Sequence, residues 1–541
     1  MKSSHIFLLS GVFLLAVITA VAQQVPFLQK KGNATQLMVD NRPLLMLAGE
    51  TGNSVASSLN DLQAAFGKAK KMNLNTLLVP VYWELLEPEE GKFDFTLVDG
   101  IIDLAQRTKL KVVLLWFGAW KNSMSCYAPL WVKEDSRKYP RAETKDGRRL
   151  EILSAFSAAN LEVDKKAFSA LMLHLAKADK QRTVVMVQVE NEIGMLTDAR
   201  DHSSEANALF HAQVPVVLMD YLEQHKEKLQ PKLFEQWKAN GYKTQGNWPE
   251  IFGEGLATDE LFMAWHYGLF IQALAQAGKA AYPLPMYLNA ALDSRGRKPG
   301  EYPSAGPLAH LLDIWRAAAP AIDFLSPDIY DPGFEDWIAR YHTNGNPLFI
   351  PEIRLHEANA VRVFYAFGEH DAMGFSPFSI ESVENPENYP LTKSYALLQQ
   401  LSPLLASLQG QGRSRGLLFN GLHKERKIEF NNYTFTCRHD YTLGWSPEIP
   451  DNDSLWPETG ALILELSPNE YIVAGSGVVI TFEKTNNKNF TAGIASIDEV
   501  EFNNEKMIVL RRLNGDQSHQ GRHLRIPAGK WNLQYLKLYG Y

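Results

Sequence analysis

The stretch VVMVQVENEIG, residues 184–194, holds both a structural and a chemical signal. A valine-rich apolar run ends abruptly in Glu190, Asn191 and Glu192, with Gly194 close behind. A short run of β-branched residues, apolar on both faces, suits a strand of a parallel sheet covered on both sides. Strand alternation predicts Glu190 and Glu192 on one side and Asn191 on the other.

Seven further runs share this texture: LLMLAGE (44–50), TLLVPVYW (76–83), VVLLWFG (112–118), PMYLNAAL (285–292), DFLSPDIY (323–330), PLFIPEI (347–353) and MGFSPFSI (373–380). Between them lie segments such as LNDLQAAFGKAKKMN (59–73), FTLVDGIIDLAQRTK (95–109) and DKKAFSALMLHLAKAD (164–179), whose apolar residues recur three and four apart. Eight strands alternating with helices predict a closed (β/α)8 barrel, an α/β fold. VVMVQVE is then the fourth strand and PLFIPEI the seventh. The connection from about 195 to 284 is read as an elaborated loop with extra helices, on the face where such barrels work.

Beyond about Pro403 the texture changes. KIEFNNYTFTC (427–437), ALILEL (461–466), EYIVAGSGVVITFE (470–483), EKMIVLRRL (505–513) and NLQYLKLYGY (532–541) follow one another without long helices. They predict a C-terminal antiparallel β-sandwich. The expected domains are a signal peptide over 1–22, a catalytic barrel over 23–402 and the β-domain over 403–541. The N-terminus supports the first of these. Lys2 precedes an apolar run from Ile6 to Ala22, and Ala20-Val21-Ala22 offers a small-x-small cleavage site. The run is short for a membrane span, so a secreted or periplasmic protein with no membrane span is expected.

The net charge of −7, with no Lys/Arg block, argues against a nucleic-acid partner. The two cysteines, Cys126 and Cys437, fall in different expected domains and are read as free thiols. Among 14 histidines there is no HExxH and no His-x-His pair at a strand end, so no metal is expected. His519 and His523 lie four apart, but in a loop-like region. Phosphate-cradling glycine motifs are also missing, and no cofactor is expected.

Glu352 interrupts the apolar seventh strand, where an isolated carboxylate is costly unless paired or solvated. An ion pair with Arg354 is the structural alternative. Strands four and seven lie across a barrel, so Glu192 and Glu352 can face one substrate. Cleaving an acetal needs one carboxylic acid to protonate the leaving oxygen and a second carboxylate to attack the anomeric carbon or activate water. Carboxylates about 5–5.5 Å apart give retention.

These residues resemble those of clan A glycoside hydrolases, and most closely the family 35 β-galactosidases. QVENEIG (188–194) is similar to that family's acid/base segment, which picks out Glu192. FIPEIR (349–354) resembles its nucleophile strand, which picks out Glu352. VYWELLEPEEGKFDF (81–95) resembles its signature after strand two. The resemblance covers about residues 40–400. It implies an exo-acting, retaining β-galactosidase that works by double displacement on terminal β-galactosyl residues of glycans, plant polysaccharide-derived ones among them. Asn191 would then hydrogen-bond the sugar 2-hydroxyl, and Tyr330 would hydrogen-bond the nucleophile. Two departures stand out. Ala119 falls where the family has a sugar-binding Glu, and Pro80 stands near an expected Tyr. They mark a divergent bacterial branch with an added β-domain. Trp120 and Asn122, after strand three, offer an apolar platform and a polar contact for the sugar. Trp248 and Trp265 are weaker candidates, the latter expected in a helix core. Two alternatives remain: another clan A exo-β-glycosidase with a different sugar, or a non-catalytic carbohydrate-binding barrel.

Overall fold

The computed structural model of the protein describes residues 24–293, 296–445, 449–485 and 490–541. The expected signal peptide lies outside them. Eight parallel strands close into a barrel: Met46–Glu50, Thr76–Tyr82, Lys111–Lys121, Val184–Asn191, Met286–Ala291, Phe324–Ile329, Ile350–Ile353 and Gly374–Pro377. Each coincides with one of the eight apolar runs. They adjoin in sequence order, and the eighth pairs with the first.

The second strand is buried at every position, because side chains fill the barrel on one face and helices cover the other. The helices follow the apolar periodicity. Helix Leu59–Lys71 turns Leu62, Ala65, Phe66 and Ala69 inward, and the Ser58 side chain caps it by accepting from the Asp61 backbone N–H. Helix Ala158–Ala178 is capped in the same way by Ser157. The long connection before the fifth strand holds helices Ser204–Phe210, Val216–Gln224, Pro231–Ala239, Trp248–Phe252 and Leu256–Ala281. Trp248 and Trp265 are buried within this layer. An antiparallel sheet of Phe27–Lys31, Ala34–Val39 and Arg42–Leu44, not read from the sequence, leads into the first barrel strand.

The C-terminal domain is two antiparallel sheets. One has six strands, in the order Ser414–Phe419, Thr459–Ser467, Glu470–Ser476, Asn532–Gly540, Ala492–Asn503 and Lys506–Leu513. The other has four: Glu425–Glu429, Tyr433–His439, Val478–Lys484 and Leu524–Ile526. Leu417, Ile463, Val473, Phe435 and Ile480 form the core between them. The alternate residues Leu418, Leu462, Leu464, Ile472 and Ala474 join the barrel's own core instead. The first three strands of the six-stranded sheet are thus covered on both faces, by the partner sheet and by barrel helix Asn359–His370, while its last strand, Lys506–Leu513, is exposed. Two glycines permit the close approach. A methyl on Gly368 would stand 2.6 Å from the Arg415 carbonyl oxygen, and one on Gly416 2.6 Å from the Tyr365 backbone. Helix Pro390–Leu408 runs through the expected boundary at 402/403, carrying Pro403 inside it, and the first strand of the β-domain begins at Ser414.

Candidate active site

The fourth strand loses its alternation where the chemistry begins. Glu190 and Glu192 both adopt left-handed backbone, with φ of 60° and 44°. Such conformations cost non-glycine residues about 1–3 kcal/mol each and persist only where the surroundings impose them. Here the Gln188 side chain donates to the Glu190 carbonyl at 3.1 Å. The Glu192 N–H donates to the Asn289 side-chain oxygen at 3.0 Å. The Asn191 and Glu192 carbonyls accept from the Asn122 and Ser123 N–H groups at 3.2 and 3.1 Å. The segment is stitched between the third and fifth strands.

The expected pairing of Glu190 with Glu192 is therefore corrected. Glu190 is fully buried and turns to the third strand, accepting from the Ala119 and Trp120 N–H groups at 3.2 and 2.7 Å. It shares a hydrogen bond with Asp164 of helix Ala158–Ala178, whose Oδ1 accepts from the Trp116 indole at 3.0 Å. Burial, then the Asp164 charge, push the Glu190 carboxyl well up. Asp164 is itself raised to about 6 by burial.

Glu192 sits among different neighbours. The exposed Asn122 side chain donates to its Oε2, and it shares a hydrogen bond with Asp328. Asp328 stands beside Glu352 in the register of the sixth and seventh strands. The Tyr330 hydroxyl donates to Glu352 Oε1, while Glu352 Oε2 is buried with no protein partner. Arg354 does not pair with Glu352 in the way the sequence allowed; it lies on the Tyr330 ring, 5.3 Å from its centroid. The structure thus brings Glu192, Glu352, Tyr330 and Asn122 to one end of the barrel. Asn191 is fully buried beside them, and neither polar atom of its side chain has a partner.

Three charged residues at this site were missed in the sequence: Glu50, Lys121 and Asp328, all nearly or fully buried. Asn289 was missed too; its amide donates to Asp328 Oδ2 at 2.5 Å. The signal that found Glu352, a charged residue at the C-terminal end of an apolar run, was equally present at Glu50 and Asp328. Burial raises Glu352 to about 7, with the Glu192 charge adding to the rise and the Lys121 ammonium opposing it. Burial also raises Glu192, again opposed by Lys121. Glu50 and Asp328 are pushed well up by burial and then by the Glu352 charge. So many carboxyls around a single ammonium titrate as a set that retains protons near neutrality.

Trp120 is not a sugar platform. Its indole is fully buried against Tyr267 and Phe270, at 5.0 and 4.6 Å between centroids, and its N–H donates to the Leu153 carbonyl at 3.1 Å. The irregular end of the third strand turns the ring outward into helix Leu256–Ala281. Cys126 is exposed and Cys437 buried, and both are free. Among the described residues no helix is long and apolar enough to cross a membrane, and no group of three or more His, Cys, Asp and Glu could hold a metal ion.

A family model described as β-galactosidase, that of glycoside hydrolase family 42, matches residues 57–252, a segment that includes Glu192. A domain of unknown function (DUF5597) matches residues 391–525. A curated β-galactosidase of Xanthomonas manihotis is 28% identical over 189 residues, which cover 32% of this chain and 28% of that protein. Among solved structures, the β-galactosidase of the Antarctic haloarchaeon Halorubrum lacusprofundi aligns with a TM-score of 0.45 at 15% identity, covering 66% of this chain and 58% of that one. That of Bacillus circulans sp. alkalophilus aligns with a TM-score of 0.45 at 14% identity, covering 66% and 57%. This chain therefore spans only part of each of these relatives. The resemblance to clan A is borne out; the narrower placement in family 35 is not, since the matching model is that of family 42. Residues 57–252, on the (β/α)8 barrel, are thus similar to a β-galactosidase domain of the glycoside hydrolases.

Proposed function

We propose that this protein is an exo-acting, retaining β-galactosidase, with Glu192 as acid/base and Glu352 as nucleophile. One observation carries the reading. Two buried carboxylates, at the ends of the fourth and seventh barrel strands, lie close enough for the charge of Glu192 to raise Glu352. In the first step Glu352 attacks the anomeric carbon while Glu192 gives its proton to the departing glycosidic oxygen. In the second, Glu192 takes a proton from water, which displaces Glu352 from the sugar.

Burial raises both carboxyls, so protonation alone does not separate their roles. Their partners do. Lys121 opposes the rise of both, but Glu352 Oε1 accepts from the Tyr330 hydroxyl and Glu352 Oε2 has no protein partner to be removed before attack, whereas Glu192 Oε2 accepts from Asn122. Buried polar groups normally find partners, and the Asn191 amide is suited to the sugar 2-hydroxyl. Lys121, Glu50 and Asp328 supply hydrogen-bonding groups for the remaining hydroxyls, in place of the carboxylate missing at Ala119. Plant polysaccharide-derived glycans are the substrate class we favour. We also read the chain as exported; the mature protein should begin near Gln23 on N-terminal sequencing, and retention of Met1 after secretion-competent expression would refute this.

The test is a panel of aryl glycosides with two variants. The aryl β-galactoside should be turned over more than about tenfold faster than the β-glucoside, roughly 1.4 kcal/mol in the transition state. Glu352→Ala should abolish turnover, with azide restoring some as a glycosyl azide. Glu192→Ala should slow substrates with poor leaving groups far more than activated ones, which need little acid assistance. Equal losses on both would show the roles misassigned. Equal hydrolysis of glucoside and galactoside would leave a broader exo-β-glycosidase. Proton NMR should show the β-anomer appearing first.

A further inference from the structure

Where the barrel meets the β-domain, a groove of about 770 Å³ opens between them. One wall is built from barrel loops. His356 and Glu357 lie four and five residues beyond Glu352, and Lys393 lies in the first turn of the helix that follows the eighth strand. Chain segments that leave the ends of barrel strands are on the same face as Glu192 and Glu352. The opposite wall is the β-domain, which contributes the half-buried rings of Tyr441, Trp456 and Trp531.

This volume falls within the range of about 300–1,000 Å³ usual for ligand sites, and the lining combines aromatic faces with a few charged groups. The rings are held in place. The Trp456 indole donates to the Pro450 carbonyl at 3.2 Å, Tyr441 meets the Trp456 ring edge-on at 5.6 Å, and Trp531 lies 6.3 Å from Phe364 of the barrel. Fixed rings give up little conformational entropy when a ligand packs on them. A pyranose presents an apolar C–H face to such a ring and equatorial hydroxyls to imidazole, ammonium and carboxylate groups. Trp531 also lines an adjoining groove of about 550 Å³, so a chain longer than one or two sugars has a continuous path along the β-domain.

We propose that this interdomain groove binds the body of an oligosaccharide or polysaccharide whose terminal residue is delivered to the barrel. The placement of that terminal residue rests on the glycosidase reading; glycan binding in the groove does not. The test is affinity electrophoresis of full-length Glu352→Gln in gels containing soluble β-galactan or soluble arabinogalactan, so that the probe is not trimmed. Glu352→Gln should be retarded by at least one of the two. Adding Ala528→Trp, which fills the groove from a partly exposed position, should weaken the retardation at least fivefold, and adding Trp531→Ala should match it. Thermal midpoints check that both variants are folded; if Trp531→Ala is not, Ala528→Trp decides. No retardation by either polysaccharide, or retardation undiminished by Ala528→Trp, overturns the proposal. The unsubstituted enzyme is assayed separately on the aryl β-galactoside. Failure there with groove-dependent retardation intact removes the galactosidase reading and leaves the groove standing.

Discussion

At the scale of single residues, the site turns on proton sharing between carboxyls. Glu352 is raised to about 7, first by burial and then by Glu192. Turnover needs one proton on the Glu192–Glu352 pair: with two, no nucleophile is ionised, and with none, no acid is available. The kcat/KM profile should therefore be bell-shaped, with its alkaline limb falling near pH 7 and its optimum on the acid side. A profile still rising at pH 8 would contradict this. Asn122 tunes the same equilibrium, because its amide donates to Glu192 Oε2. That bond favours the charged form, so Asn122→Ala should raise the Glu192 carboxyl further and move the alkaline limb upward. Exposed at the mouth of the site, Asn122 is also placed to touch the sugar. The preference for galactoside over glucoside should narrow in the same variant. Measuring both substrates across pH separates the two effects.

At the scale of elements, the join between the third strand and helix Ala158–Ala178 carries its own titration. Glu190, Asp164 and the Trp116 indole form a buried chain behind the catalytic end of the fourth strand. Asp164 is raised to about 6 from an ordinary value near 4, and Glu190 is raised as well. A carboxyl raised on folding stabilises the folded state fully below its unfolded pKa, and that contribution is lost as pH climbs through the folded value. The thermal midpoint should therefore fall between about pH 4 and pH 7. In Asp164→Asn the side-chain oxygen still accepts from Trp116 and the amide donates to an ionised Glu190. The variant should flatten that fall, whereas an unchanged slope would place the titration elsewhere. Packing here is tight: a methyl on Gly118 would stand 2.2 Å from the Trp116 indole nitrogen and 2.6 Å from Glu190 Oε1.

At the scale of the whole molecule, barrel and β-domain share one core. Leu418, Leu462, Leu464 and Ile472 are buried with barrel residues, so separating the domains would expose a continuous apolar face. Across the join, Arg362 on the barrel grips Glu458 through two hydrogen bonds of 2.7 and 2.5 Å, and Arg426 on the β-domain pairs with Glu335. Calorimetry should show a single unfolding transition. Arg362→Ala leaves a mostly buried Glu458 carboxylate uncompensated, at a cost of about 1–3 kcal/mol. It should lower that one midpoint and not split it. Two resolved transitions in the unsubstituted protein would show that the shared core is not cooperative.

How much of this was legible in the chain alone depends on the range of the interactions. All eight barrel strands were legible, because a strand covered on both faces must be apolar at nearly every position. Helix Leu59–Lys71 was legible from the three-and-four spacing of its buried residues. Glu352 stood out as a carboxylate in an apolar strand, and Glu192 from its place after the fourth. Tertiary structure alone decided where Glu190 points, since left-handed backbone at 190 and 192 overrides alternation and depends on partners from the third and fifth strands. It also decided that Trp120 is core and not platform, because the long helix Leu256–Ala281 returns to cover it. Glu50, Lys121 and Asp328 are far apart in sequence, and only barrel closure gathers them around the catalytic pair. The succession of strand-like runs without long helices announced the C-terminal sheets. That the first three strands of the six-stranded sheet are buried on both faces follows from the barrel packed behind them, a contact between segments that no local pattern encodes.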